Sequence, residues 1–381
     1  MDAPDSPTAD SELARYCYGL KSTFIPALLG WYADSARCLP WRQDPTPYHT
    51  WVSEVMLQQT QVSTVIPYYL RFLDRYPDVF ALATAELPDV LALWQGLGYY
   101  SRARSLHAAA RQIVEHHNGV LPAQHASLLA LPGIGEYTAG AILSIAFHQD
   151  CVALDGNVKR VLARLLDYGR DIAAPSGKEE LAACANVLLP RGQAGAFNQA
   201  MMDLGATLCS PRHPRCASCP LASQCLSLAR DTVTMRPVRK GRPRSPLHEM
   251  VGGFVHRGDL WLAVHRPPRG LLGGLWEVPG FELRKGPGDD PFSALQRGLD
   301  QSLHLRVHLS GPPSRISHAY THMKIALTAY SCLPDTDATL QPGAPWDDLR
   351  WLNDEQMPAF GITGLSLKVL KAMHATQLSL L

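Results

Sequence analysis

The 381-residue chain has no apolar run approaching the roughly 18 residues that a membrane span requires. Its start, MDAPDSPTADSEL, is acidic and polar, which excludes a secretory leader and reads as a disordered tail over residues 1–18. A monomer in the bacterial cytoplasm, without membrane attachment, is the expectation. Charge of one sign is also missing: 35 Lys and Arg against 34 Asp and Glu leave a net +1, which alone argues against a polyanionic partner. No self-similarity at a period of roughly 20–50 residues is visible, so a solenoid or propeller is excluded. Lysine is absent between Lys21 and Lys159. What is present, 46% hydrophobic and 18% charged residues, suits a globular chain long enough for two domains.

The near-zero charge conceals an uneven distribution. Residues 1–230 carry −2 and residues 248–381 carry −1, whereas 231–247 carry +4. That segment, DTVTMRPVRKGRPRSPL, has three prolines that disfavour helix, so it reads as an interdomain linker, either merely solvated or touching phosphates. Residues 20–230 look mainly helical, with amphipathic runs at 52–73 and 102–117 punctuated by Pro and Gly. Residues 248–381 change character. EMVGGFV and LWLAVHR flank the turn His256-Arg257-Gly258-Asp259 as a hairpin, RISHAYTHMKIALTAYSC reads as further strand, and 362–375 as a closing helix. The expected fold is therefore an all-helical domain over 19–230 followed by an α+β domain over 248–381.

Four of nine cysteines form Cys209-x6-Cys216-x2-Cys219-x5-Cys225. Four thiolates within one loop suit a metal centre, and the presence of only one C-x2-C knuckle favours a [4Fe–4S] cubane over zinc, which stays open. The intervening Arg212 and Arg215 would then face phosphate. In Leu131-Pro-Gly-Ile-Gly135, Gly133 and Gly135 allow a tight turn whose N–H groups, with the next helix N-terminus, can meet an anion. An ordinary helical corner is the alternative; beside the cysteine loop, the anion-binding reading gains.

Together the LPGIG turn, Asp155 in Leu154-Asp-Gly-Asn-Val158 and the cysteine loop resemble the helix-hairpin-helix glycosylases related to endonuclease III. Three further stretches narrow the resemblance to the MutY family of adenine glycosylases: LPWRQDPTPYHTWVSEVMLQQTQV (39–62), LWQGLGYYSRARSL (93–106), and GGLWEVPGF (273–281) with HAYTH (318–322). The resemblance implies a helix-hairpin-helix over 126–147, a cluster loop over 209–225 and a Nudix-like 8-oxoguanine recognition domain over 248–381. Its substrate would be double-stranded DNA holding adenine opposite 8-oxoguanine or guanine.

Glu54 lies among Val52, Val55, Met56 and Leu57, which would desolvate it and raise its pKa toward that of a neutral-pH acid. By resemblance it protonates adenine N7. Asp155 could be a helix N-cap, but the resemblance makes it the carboxylate beside an oxocarbenium sugar, a division of labour glycosidases share. Asn157 would orient Asp155 or the water. Tyr137 stands where related bifunctional glycosylases place a Schiff-base lysine, so water is the expected nucleophile and the enzyme monofunctional. The resemblance also places Gln59 and Tyr99 beside the orphaned base, with Leu57 as an apolar wedge, and Trp41 and Arg42 in the adenine pocket. Arg102 and Arg104 are expected DNA contacts. Tyr320-Thr321-His322 stands where the family usually has Phe-Ser-His, keeping an aromatic plane and a hydroxyl. A metal-holding Nudix helix needs carboxylates that Leu295-Gln-Arg-Gly-Leu-Asp300 lacks, so this domain should bind and not hydrolyse.

Overall fold

The computed structural model describes residues 12–239, 241, 245–283, 290–320, 323–335 and 340–378. Thr321 and His322, and the linker residues Lys240, Arg242 and Arg244, lie outside the described residues. Contacts divide the chain into two compact units, Met1–Ala83 with Ala108–Arg242, and Thr84–His107 with Pro243–Leu381.

The helices before the linker are α1 (Glu12–Ser35), α2 (Pro47–Leu57), α3 (Val62–Arg75), α4 (Val79–Thr84), α5 (Leu87–Leu93), α6 (Ser101–His117), α7 (His125–Leu129), α8 (Glu136–Ile145), α9 (Gly156–Leu165), α10 (Pro175–Leu188), α11 (Ala194–Thr207) and α12 (Leu226–Ala229). The core of the first unit follows from helical spacing. On α9, Val158, Val161, Leu162 and Leu165 form an i, i+3, i+4, i+7 stripe that packs with Phe24 and Leu28 of α1, Leu181 and Leu188 of α10, and Phe197 and Leu204 of α11. The amphipathic run at 52–73 is two helices instead of one. The chain breaks after Leu57, where Gln59 takes a left-handed φ of 58°, and restarts at Val62. Each helix then buries its own face, α3 through Val65, Tyr69 and Phe72.

The linker is not simply solvated along its described part. Arg236 pairs with Asp167 at 2.8 Å, and the Val238 carbonyl accepts from the Ile172 amide at 3.2 Å.

In the second unit the strands are β1 (Leu247–Arg257), β2 (Leu260–His265), β3 (Trp276–Glu277), β4 (Gly280–Glu282), β5 (Val307–Leu309), β6 (Ser314–Ala319), β7 (Lys324–Pro334) and β8 (Asp348–Leu352). The expected hairpin is present: β1 and β2 pair antiparallel across Gly258, with His256 opposite Trp261. β1 runs parallel to β7, Leu247 opposite Lys324 through Val255 opposite Cys332. The sheet is mixed, in the order β3-β2-β1-β7-β5, with β4 also on β1, β6 on β7 and β8 on β2. Alternation sends Val251, Val255, Leu262 and Val264 to one face, under α13 (Pro291–Leu303), and Phe254, Trp261 and Ala263 to the other, under α14 (Gly364–Leu378).

Candidate active site

The first unit contains a cavity of about 620 Å³. Helix α2 starts cleanly because Thr46 accepts from the His49 amide at 3.1 Å and Pro47 occupies the first turn. Its apolar side chains Trp51, Val52, Val55 and Met56 are buried, while Thr50, Ser53, Glu54, Leu57 and Gln58 line the cavity. Tyr137, in the first turn of α8, and Asp155, at the N-cap of α9, line the same cavity.

Glu54 is only 5% exposed. Burial pushes its carboxyl up to about 7; the bond from Tyr137 partly opposes this, and nearby Asp155 reinforces it. The Tyr137 hydroxyl donates to Glu54 Oε2 at 2.5 Å and lies 3.7 Å from the Met202 sulfur. Burial and the neighbouring Glu54 carboxylate hold that phenol well above its ordinary value, so it stays a donor. Asp155 accepts from the Val158 amide at 2.7 Å and from Asn157 Nδ2 at 2.9 Å. It is both a helix cap and a cavity carboxylate. Burial raises its pKa, with those two donors opposing.

Asn157 is fixed in turn. Its Oδ1 accepts from Arg160 at 2.8 Å, and the same guanidinium donates to the carbonyls of Gly205 at 2.7 Å and Cys209 at 2.9 Å. The cavity carboxylate is thus tied through two side chains to the first residue of the cysteine loop. Cys209, Cys216, Cys219 and Cys225 are free thiols lining one small enclosure with Arg164, whose guanidinium donates to Cys209 Sγ at 3.3 Å. Burial pushes Cys219 up to about 11, and the other three thiols add to the effect. Among the described residues, no group of three or more His, Cys, Asp or Glu is arranged to hold a metal ion.

Trp41 and Arg42 both line the cavity. Trp41 packs edge-on against Tyr69, 5.4 Å between centroids. Arg42 grips Asp203 through two bonds of 2.8 and 3.0 Å, and Arg37 Nε reaches the same carboxylate at 2.7 Å. Asp203 is fully buried, and although burial opposes its charge, the two arginines hold its pKa below the ordinary carboxylate range. Leu57 and the exposed Gln59 also line the cavity.

In the glycine turn, Gly133 has φ 77°, which only glycine adopts without strain, and Gly135 caps α8 without a side-chain bond. In the second unit Tyr99 is 41% exposed with φ 51°, its ring 5.3 Å from the Arg102 guanidinium. Arg102 and Arg104 differ from expectation. Arg102 is buried, donates to the Gly98 carbonyl at 3.0 Å and is lowered by that burial to about 10; Arg104 donates to the Gly273 carbonyl. Both are turned inward to satisfy glycine-rich backbone. Tyr320 is half-buried against His318 at 4.5 Å, and burial raises its phenol to about 12. Its neighbours Thr321 and His322 lie outside the described residues.

Sequence reading missed Arg37, Thr50, Ser53, Gln199, Met202 and Asp203. Five line the cavity, and Asp203 anchors two arginines that do. The α2 residues carried a legible signal, polar side chains at helical spacing inside an otherwise apolar segment. Asp203, alone among apolar neighbours in AMMDLGA, carried a weaker one.

A base-excision family, described as the HhH-GPD superfamily of base excision DNA repair proteins, matches residues 52–186, and a NUDIX domain matches residues 250–372. The chain is similar to the adenine DNA glycosylase of Mus musculus, 36% identical over 387 residues that cover 87% of this chain and 74% of that protein. The corresponding Homo sapiens protein is 35% identical over 424 residues, covering 93% and 75%. Among solved structures, a thermostable thymine-DNA glycosylase is similar with a TM-score of 0.51 at 25% identity, covering 56% of this chain and 98% of that one.

Proposed function

The chain belongs to the adenine DNA glycosylase family of base-excision repair enzymes, which hydrolyse N-glycosidic bonds, and from that premise we propose that it removes adenine paired with 8-oxoguanine or guanine in duplex DNA. The observation that carries the reading is Glu54, a buried carboxyl with its pKa near 7, bonded to a tyrosine and opening onto a cavity that Asp155 shares. About 620 Å³ is room for one extruded base. Glu54 donates its proton to adenine N7, making the base a better leaving group. The C1′–N9 bond breaks with its electron pair passing to the departing base. Ionised Asp155, held by Asn157, stabilises the oxocarbenium sugar until water adds at C1′ and passes its extra proton to the Glu54 carboxylate, restoring the acid. Tyr137 offers no amine, so the strand is not cut by β-elimination.

The other site residues serve the duplex. Trp41 and Arg42 bound the adenine pocket, Leu57, Gln59 and Tyr99 occupy or border the vacated stack, and Gly133 and Gly135 present amides to phosphate. Cys209, Cys216, Cys219 and Cys225 would hold a [4Fe–4S] cluster. The donor set is all thiol and has a single C-x2-C knuckle where a zinc ribbon pairs two, which favours the cubane over zinc. When bound, the cluster supplies a rigid anchor for the loop carrying Arg212 and Arg215. The Nudix-like domain, residues 248–381 beyond the 231–247 linker, reads the opposite base through Tyr320, Thr321 and His322.

Duplexes containing A·8-oxoguanine, A·G or thymine glycol, scored with and without hot alkali, test the proposal. Base loss at adenine that needs alkali to break the strand is expected. Alkali-independent nicking at thymine glycol would instead mark a bifunctional pyrimidine glycosylase.

A further inference from the structure

Asp203 is fully buried on α11, and one short segment of chain supplies donors to both its oxygens. Oδ2 accepts from the Arg37 amide at 3.2 Å and from Arg42 at 2.8 Å; Oδ1 accepts from Arg37 Nε at 2.7 Å and from Arg42 at 3.0 Å. Arg42 also donates to the Arg37 carbonyl at 3.1 Å and lies 5.6 Å from the centre of the Tyr32 ring. Both arginines line the cavity onto which Glu54 opens. Two cations thus share one carboxylate, which leaves this wall with a surplus positive charge. After Asp203, the carboxyl whose charge acts on Arg42 is Glu54, and Arg42 is the cation whose charge acts on Glu54. The other groups facing Glu54 are Tyr137 on α8 and Asp155 at the start of α9; those facing Asp203 are Arg37, Arg42 and, from α1, Tyr32. A mere tether between the Pro40–Arg42 turn and α11 gains little from a buried ion pair, which apolar packing generally equals.

We propose that Asp203 is a positioning residue for the Glu54 acid: as the buried counter-ion of Arg42, it holds that guanidinium off the Glu54 carboxylate. The inference rests on the function proposed above. Arg42 gives two parallel bonds to Asp203, the geometry that fixes a guanidinium most firmly, and its paired charge then acts weakly across the cavity. Arg37 grips the same carboxylate, which keeps Asp203 ionised and fixed in place. Without the Asp203 charge, Arg42 is an uncompensated cation whose next carboxyl is Glu54. Pairing there stabilises the ionised form of Glu54, which has no proton to give.

The test is the pH dependence of single-turnover adenine excision in Asp203→Asn, in Asp203→Asn combined with Arg42→Gln, and in Arg42→Gln alone. In Asp203→Asn the midpoint of the alkaline fall should drop by about one pH unit. Excision at pH 8 then slows by about 10-fold against wild type, while that at pH 5 stays within about 3-fold. Adding Arg42→Gln should return the midpoint to the wild-type value or above. The midpoint is read from the shape of the profile, so partial loss of folded protein does not imitate it. Should Asp203→Asn not fold, Arg42→Lys decides, since it keeps the cation and loses the two-pronged grip: its midpoint should fall where that of Arg42→Gln does not. An unmoved midpoint in Asp203→Asn, a uniform loss at every pH, no recovery in the double variant, or Arg42→Lys and Arg42→Gln moving alike would overturn the assignment. If wild type itself left adenine in place, the proposed function would fail instead, so the two failures are distinguishable.

Discussion

Glu54 in the first unit and Glu277 in the second are both largely buried carboxylates whose pKa values burial raises. Their surroundings then diverge. Glu277 Oε1 accepts from Arg266 at 2.8 Å and from Trp346 Nε1 at 2.9 Å, a cation and an indole that fix both its charge and its position. Glu54 accepts from one neutral phenol and opens onto a cavity. Desolvation alone therefore does not mark a reactive group. A buried carboxyl facing space, with no cation bonded to it, can still give its proton away, whereas one closed by an arginine is structural. In this chain Arg42 does lower the Glu54 pKa through its charge, but its hydrogen bonds go to Asp203 and to the Arg37 carbonyl.

Substitutions sharpen the contrast. Glu54→Gln should reduce single-turnover adenine excision by about 10³-fold or more while leaving affinity for the mispaired duplex largely intact, measured by rapid quench and by gel shift. Loss of both would make Glu54 structural, like Glu277. Asp155→Asn should cost about 10²-fold, because the amide keeps the helix cap but removes the charge facing the sugar. Glu277→Gln should do the reverse of Glu54→Gln. It should lower stability by about 1–3 kcal/mol in denaturant titration, with excision by the folded protein changed less than about 2-fold.

Stability against pH gives Glu54 a further signature. Glu54 is raised from 4.5 to about 7 in the folded state, so the folded protein holds this proton where the unfolded chain has released it. The stability this represents is complete below pH 4.5 and is lost as pH rises through 7. Glu54→Gln should accordingly be the more stable protein at pH 8, by about 3 kcal/mol. The smallest effect concerns Tyr137→Phe. Removing its bond takes away one of the two influences that lower the Glu54 pKa, the Arg42 charge being the other, so the alkaline limb of the pH–rate profile should move upward by about one pH unit or less.

Much of the site was legible because chemistry constrains short spans. Four cysteines in one loop, an aspartate opening a helix and a glutamate inside an apolar run each announce themselves locally. The β1–β2 hairpin was equally plain from its turn. What stayed hidden depends on distant partners. Asp203 acquires its role only when the Arg37–Arg42 segment folds onto α11, and Arg102 and Arg104 face inward because glycine-rich backbone leaves carbonyls to satisfy. The break at Gln59 escaped for a related reason: α2 and α3 share one continuous apolar rhythm, and only their packing separates them.

The central claim is that a protonated Glu54 delivers the proton that frees adenine. The direct measurement is the single-turnover excision rate of the wild-type protein on an adenine mispair from about pH 5 to pH 9. The rate should fall tenfold per pH unit above about 7, the pKa of Glu54, as the acid is lost. A rate that stayed level or rose through that range would contradict the account.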